Sequence, residues 1–152
     1  MRILLFINLF CLLFSLNAFS EAKGDTALPK GAVQLDPKDL QWVDAPAVLP
    51  KGSKISILYG DIKKEGPFAI RIKLPPGGIV RPHVHTNDEV VTVLDGSISI
   101  GFGNQDASSP IRTFFAKSFY VNPAKIKHFV IVGEEGATIQ VNSIGPWTVE
   151  LQ

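Results

Sequence analysis

Three histidines and one carboxylate carry the chemistry that this sequence can offer. His83 and His85 stand two residues apart, so on a β-strand their imidazoles share one face. Glu89 has the same parity after a short bend, and His128, the third histidine, opens a later strand after Pro123. Three imidazole nitrogens and a carboxylate oxygen make a ligand set for one divalent transition metal. With no thiolate beside them, Cu(I) and iron–sulfur clusters drop out, while Mn, Fe, Co, Ni, Zn and Cu(II) remain. Four protein ligands leave about two positions of an octahedral ion open to water, a substrate or O₂. The competing account is a hydrogen-bonded core pair of histidines with a third at the surface.

The elements that must position these residues read as strands. Phe68, Ile70, Ile72 and Leu74 alternate with Ala69, Arg71 and Lys73, and Pro75-Pro76-Gly77-Gly78 closes the run. Ile55, Ile57 and Tyr59 give a shorter run ended by Gly60-Asp61. A Val-rich strand over 90–94 is expected to end in a hairpin at Asp95-Gly96, with Ile98, Ile100 and Phe102 on the returning strand. Further strands are expected over 111–115, 119–121, 128–132 and 138–143. No stretch shows helical periodicity over ten residues. Eight to ten short strands with Gly/Pro turns predict an antiparallel sandwich or barrel.

Ahead of the barrel, two segments are expected. Residues 3–14 are apolar apart from Asn8, Arg2 is the sole charge before Glu21, and Ala18-Phe19-Ser20 fits a small-x-small cleavage pattern. Residues 1–20 therefore read as a signal peptide of an exported, periplasmic or secreted protein. The run is shorter than the ~20 apolar residues of a membrane span, so no stable membrane insertion is expected after cleavage; an uncleaved anchor is the alternative. Residues 21–53, with Pro29, Pro37, Pro46 and Pro50, read as an extended Pro-rich arm with edge strands or a single helical turn, and 54–152 as the barrel domain. The arm and the apolar strand ends together predict a homodimer.

Composition sets the outer bounds. The 152 residues carry a net charge of +1, which gives no electrostatic footprint for nucleic acid. A single Cys excludes a disulfide framework within the chain and every multi-Cys zinc motif. Removing residues 1–20 takes away Cys11, Met1 and Arg2, and leaves 132 residues with 14 basic and 14 acidic side chains and no sulfur.

The stretch from Gly77 to Gly96 resembles the first motif of the cupin superfamily, G-x5-H-x-H-x3-E-x6-G, with Gly77, His83, His85, Glu89 and Gly96 in register. The second motif, G-x5-P-x-G-x2-H-x3-N, is met at Pro123 and His128. Lys117 and Lys125 stand where glycines are usual, and Val132 replaces the Asn, which puts the loop geometry in question. The resemblance covers roughly residues 54–144. It implies a double-stranded β-helix, a jelly-roll-like antiparallel barrel, with one divalent metal ion (Mn, Fe, Zn, Ni or Co) on His83, His85, Glu89 and His128. It also implies a metal-dependent enzyme acting on a small organic molecule by dioxygenase-like oxidation, isomerisation or decarboxylation. A non-catalytic module that binds or senses a small ligand or metal is the other reading; a purely structural metal is a third.

Around the site, secondary candidates carry alternatives of their own. Gln140 and Asn142 share a face that meets either substrate or solvent. Lys125 and Lys127 steer an anion or are simply solvated. Arg81 serves a carboxylate or an ion pair, and Trp147 is expected to pack the barrel end. Gly101 and Gly103 read as hairpin glycines.

Overall fold

The computed structural model describes residues 28–152; the expected signal peptide and the first residues of the arm, 21–27, lie outside the described residues. Two compact units divide the chain, Met1–Ala32 and Val33–Gln152. Of the first, the described part is one turn in which the Ala32 N–H donates to the Pro29 carbonyl at 3.0 Å. The second holds a 3₁₀ turn at Pro37–Asp39 and nine strands. These are β1 (Val43–Asp44), β2 (Lys54–Tyr59), β3 (Gly66–Leu74), β4 (Ile79–His85), β5 (Glu89–Phe102), β6 (Ile111–Phe115), β7 (Phe119–Asn122), β8 (His128–Gly145) and β9 (Val149–Leu151). No helix of the described residues is long and apolar enough to cross a membrane.

All pairings are antiparallel, in the order β1-β2-β3-β8-β4-β9, with β5 pairing β6, β7 and β8. The first half of β8 pairs with β4 and its second half with β3, while β5 runs along both halves. Two long strands thus hold the short ones in a curled double-stranded β-helix, the architecture that the motif resemblance implies and one that fits the antiparallel sandwich or barrel expected from the strand pattern.

The residue pattern predicts each of these long strands as two shorter ones. Asp95-Gly96 forms no hairpin: β5 runs straight through it for 14 residues, and β8 runs through Gly133–Gly136 for 18. The dipeptide instead absorbs register shifts on either side, between Val93 and Asp95 and between Gly96 and Ile98. Gly96 has φ +69°, and a Cβ there would collide with the Gly136 carbonyl. A positive φ at glycine serves a bulge as well as a tight turn, and pairing with β8 decides between them.

Period-2 alternation builds the core. Phe68, Ile70, Ile72 and Leu74 of β3 face Val91 and Val93 of β5 and Ile139 and Val141 of β8, all buried. Each such side chain contributes about 1.5–3 kcal/mol on leaving water. In β2 the alternation fails: the ladder shifts register between Ile57 and Tyr59, which are about half exposed, while Ser56 is buried.

Candidate metal centre

Strand β4 brings its histidines to the site by way of a bulge. Val80 pairs with Val130, yet His83 pairs with His128, so two residues, Arg81 and Pro82, lie opposite Phe129 alone. Proline has no N–H for a ladder and suits such a position. The extra residue puts His83 directly opposite His128, with ring centroids 4.3 Å apart. His85, two residues on, places its ring 4.8 Å from His83 and 5.1 Å from His128.

Glu89 opens β5 and is set by the connection before it. Thr86 Oγ1 donates to the Pro146 carbonyl at 3.0 Å, and Asn87 Nδ2 to the Ile144 carbonyl at 2.8 Å. Asp88 accepts from the Ala124 N–H at 2.7 Å, and its carbonyl from Ser143 Oγ at 2.6 Å. Glu89 Oε2 then lies 3.5 Å from His85 Nε2 and 3.6 Å from His128 Nε2.

The four sequence-predicted residues therefore converge, and all four are buried. The ligand atoms of His83, His85 and His128 lie within 4.8 Å of one another. Each histidine commits its other nitrogen to the backbone. His83 Nδ1–H donates to the Arg81 carbonyl at 2.7 Å, His85 Nδ1–H to Thr148 at 2.8 Å, and His128 Nδ1–H to Ile126 at 3.0 Å. A carbonyl only accepts, so Nδ1 bears the proton and the Nε2 lone pair faces inward. His85 Nε2 and His128 Nε2 are buried without any hydrogen-bond partner. Buried polar atoms are seldom left so, and an imidazole oriented through its far nitrogen is the usual arrangement around a metal. The donor set fits a divalent ion.

Electrostatics keep the His83 imidazole neutral. Burial, then the neighbouring His128, pushes the His83 imidazole down to about 4. Burial raises the Glu89 carboxyl; in the metal-free chain a proton held on Nε2 of His128 or His85 and donated to Glu89 outweighs it and holds the carboxyl below the usual range, and a metal ion takes that proton's place.

Several side residues stand differently from their sequence readings. Asn122, buried on β7, lies outside the sequence-predicted set, yet its Nδ2 donates to Glu89 Oε2 at 2.8 Å; the sequence hint is its place just before Pro123. Trp147 does more than pack the barrel end, since its indole stacks on His85 at 4.2 Å and 16°. Arg81 is exposed and serves through its carbonyl. Gln140 accepts from Arg71 Nε at 3.2 Å, and Lys127 donates to Asn104 at 2.9 Å, so neither is aimed at the site. Lys117 and Lys125 adopt φ +74° and +62°, the left-handed conformation that glycine would take. The Lys125 N–H donates to the His85 carbonyl at 2.9 Å, so its backbone, not its charge, supports the site. Val132 is core.

A cavity of about 270 Å³ lies against the cluster, lined by His83, His85, Glu89, Trp147 and apolar residues of β2, β3, β4, β8 and β9. Pro46, Val48 and Leu49 of the Pro-rich stretch complete its wall.

A family model described as Domain of unknown function (DUF4437) matches residues 14–150. No curated protein matches the chain. Among solved structures, the polyketide cyclase RemF from Streptomyces resistomycificus is similar with a TM-score of 0.63 at 16% identity, over 78% of this chain and 83% of that one. A variant of oxalate decarboxylase from Bacillus subtilis gives 0.57 at 18% identity, over 74% of this chain and 29% of that one. The same enzyme, in a study of its Mn(II) centres, gives 0.56 at 19% identity with the same coverage, 74% and 29%. The chain thus spans under a third of the length of the decarboxylase, and the likeness is one of fold.

Proposed function

The chain belongs to the DUF4437 family within the cupin superfamily, and on that premise we propose that His83, His85, Glu89 and His128 hold one divalent transition metal ion that acts on a small organic molecule. The observation that carries this is the set of three inward Nε2 atoms, each opposite an Nδ1–H already spent on a backbone carbonyl. Nitrogen and oxygen donors suit Mn, Fe, Co, Ni or Zn, and the Mn(II) centres named for the decarboxylase lend support to that range. Such an ion supplies Lewis acidity and open coordination positions. The chain's own residues orient the imidazoles, keep Glu89 ionised and wall the site from water.

Oxidation, isomerisation and decarboxylation are the candidate reactions. A second reading, a non-catalytic module that sequesters or senses a ligand, draws support from the cavity lining. Among the described residues, its only ionisable groups are three of the four proposed ligands themselves, His83, His85 and Glu89, which leaves no separate acid or base. We also read the chain as exported and homodimeric; a mature N-terminus at Glu21 and a dimer mass in light scattering test these.

Metal analysis of the purified protein decides the main reading. About one ion per chain is expected, lost in His85→Ala. A wild-type chain that takes up none of Mn, Fe, Co, Ni or Zn overturns it.

A further inference from the structure

The cavity beside the histidines is poor in charged groups. Of its fifteen lining residues, twelve are aliphatic, proline or tryptophan, and the other three are His83, His85 and Glu89. Neither Lys nor Arg, nor any hydroxyl or amide side chain, lines it among the described residues. A ligand entering it loses water against an apolar wall and finds no cationic side chain to repay a second charge; the one unpaired donor of the lining, Trp147 Nε1–H, is neutral. An unpaired buried charge costs several kcal/mol, so the enclosed charges must nearly cancel.

We propose that the site takes a predominantly apolar molecule that binds through one singly ionised oxygen function, and that it rejects small dicarboxylates. This rests on the metal-centre reading above. A divalent ion with the Glu89 carboxylate leaves one positive charge inside the apolar wall. A monoanion brings the sum to zero. A dianion leaves a net negative charge with no guanidinium or ammonium to meet it, so the oxalate of the decarboxylase's name is a poor fit here. The apolar body of the ligand packs against Ile72, Ile139 and Val149 and against Trp147, whose indole is fixed by its stack on His85 and its edge contact with Phe68 at 5.7 Å.

A matched pair of chelators isolates the charge. Acetylacetone and malonate both offer two oxygens at the same spacing, one binding as a monoanion and the other as a dianion. Full-length protein loaded with Co(II) is titrated with each, read by the visible Co(II) bands and by tryptophan fluorescence. Acetylacetone is expected to bind at least about tenfold more tightly than malonate, and benzoylacetone more tightly still through its added apolar surface. Val48→Lys, on a half-buried turn of the cavity wall, is expected to shift the ratio about tenfold toward malonate. Equal or tighter binding of malonate by the wild-type chain overturns the inference while leaving the metal centre standing. Failure of Mn, Fe, Ni and Zn as well as Co(II) to enter overturns the metal centre and this inference together; where another of these ions enters instead, the same titration is read on it by tryptophan fluorescence.

Discussion

Two hollows of about 270 Å³ each meet at a single hydrogen bond, from Asn122 to Glu89. Glu89 lines the first; Asn122 lines the second, with Ile100, Phe102, Phe114, Tyr120 and Arg112. Volume does not separate them, but their donors do. The first gathers imidazole nitrogens whose outer partners are already fixed and whose inner lone pairs are free. The second holds a phenol that burial, and then the Glu89 charge, push well above its usual range, so Tyr120 stays protonated. Its guanidinium, Arg112, lies over the Phe114 ring at 5.2 Å. A cation finds several converging ligands in one hollow, and in the other only Asn122 Oδ1, buried without a partner in a lining that also holds the Arg112 guanidinium. Several pre-oriented lone pairs converging on one point make a site; a single unpaired oxygen does not.

The sharpest way to break this contrast is to remove a ligand. His128→Ala deletes an Nε2 that is buried without a partner. Substituting outer partners of metal ligands costs about 10–100-fold in affinity, so loss of a ligand is expected to exceed 100-fold, about 3 kcal/mol or more. Equilibrium dialysis with Co(II) or Zn(II) reads this directly. Retention of wild-type affinity would place the ion elsewhere.

Acid distinguishes the hollows next. His83 titrates at about 4 when folded and at its ordinary 6.5 when unfolded. Between those values the unfolded chain binds a proton that the folded chain refuses, which favours unfolding. Stability of the metal-free protein is therefore full above about pH 6.5 and lost as pH falls through about 4, by roughly 3 kcal/mol. Glu89, held low by His128 and His85 against the raising effect of burial, loses stability in the same direction at still lower pH. The second hollow contributes nothing over this range. Urea midpoints measured at pH 7, 5.5 and 4.5 should fall in sequence, and fall less in His83→Leu; a flat profile would remove the electrostatic account.

Much of this was legible in the sequence because it depends on local order. The i, i+2 spacing of His83 and His85 fixes a common face, and the four-residue step to Glu89 spans the bend. The clean alternation from Phe68 to Leu74 gave a strand with its buried face correct at every position. What escaped depends on pairing with distant strands. Asp95-Gly96 carries the residues of a hairpin, but β8 runs beside both sides of it and turns it into a bulge. The bulge at Arg81-Pro82 shows only once Val80 and His83 have partners. Lys117 and Lys125 lack the glycine that signals a positive φ, and tertiary contacts hold them there. Asn122 looks like a turn residue until β7 sets it opposite Glu89.

Asn122 also offers the next test, since it belongs to one hollow and serves the other. Its amide is fully buried, and Nδ2 must face Glu89 because a carboxylate only accepts. Asn122→Ala removes the donor that sets the carboxylate and leaves the imidazoles in place. Metal affinity is expected to fall about 10–100-fold, the range for an outer partner of a ligand. A loss as large as that of His128→Ala would mean that Glu89 collapses without its amide. No loss would mean that the connection at 86–88 positions it unaided.

Tyr120→Phe is expected to do least, and for that reason bounds the comparison. The hydroxyl stays neutral, its ring packs on Phe114 at 4.7 Å, and phenylalanine keeps that contact. Nothing ionised is gained or lost, so metal affinity should change by less than about twofold, and stability by no more than about 1 kcal/mol. The Glu89 charge nevertheless reaches Tyr120, since it helps to raise the phenol. If Tyr120→Phe weakens the metal as much as Asn122→Ala does, that influence runs both ways with real strength. The two hollows would then form one site with Asn122 at its centre, and the second could not be treated as packing space.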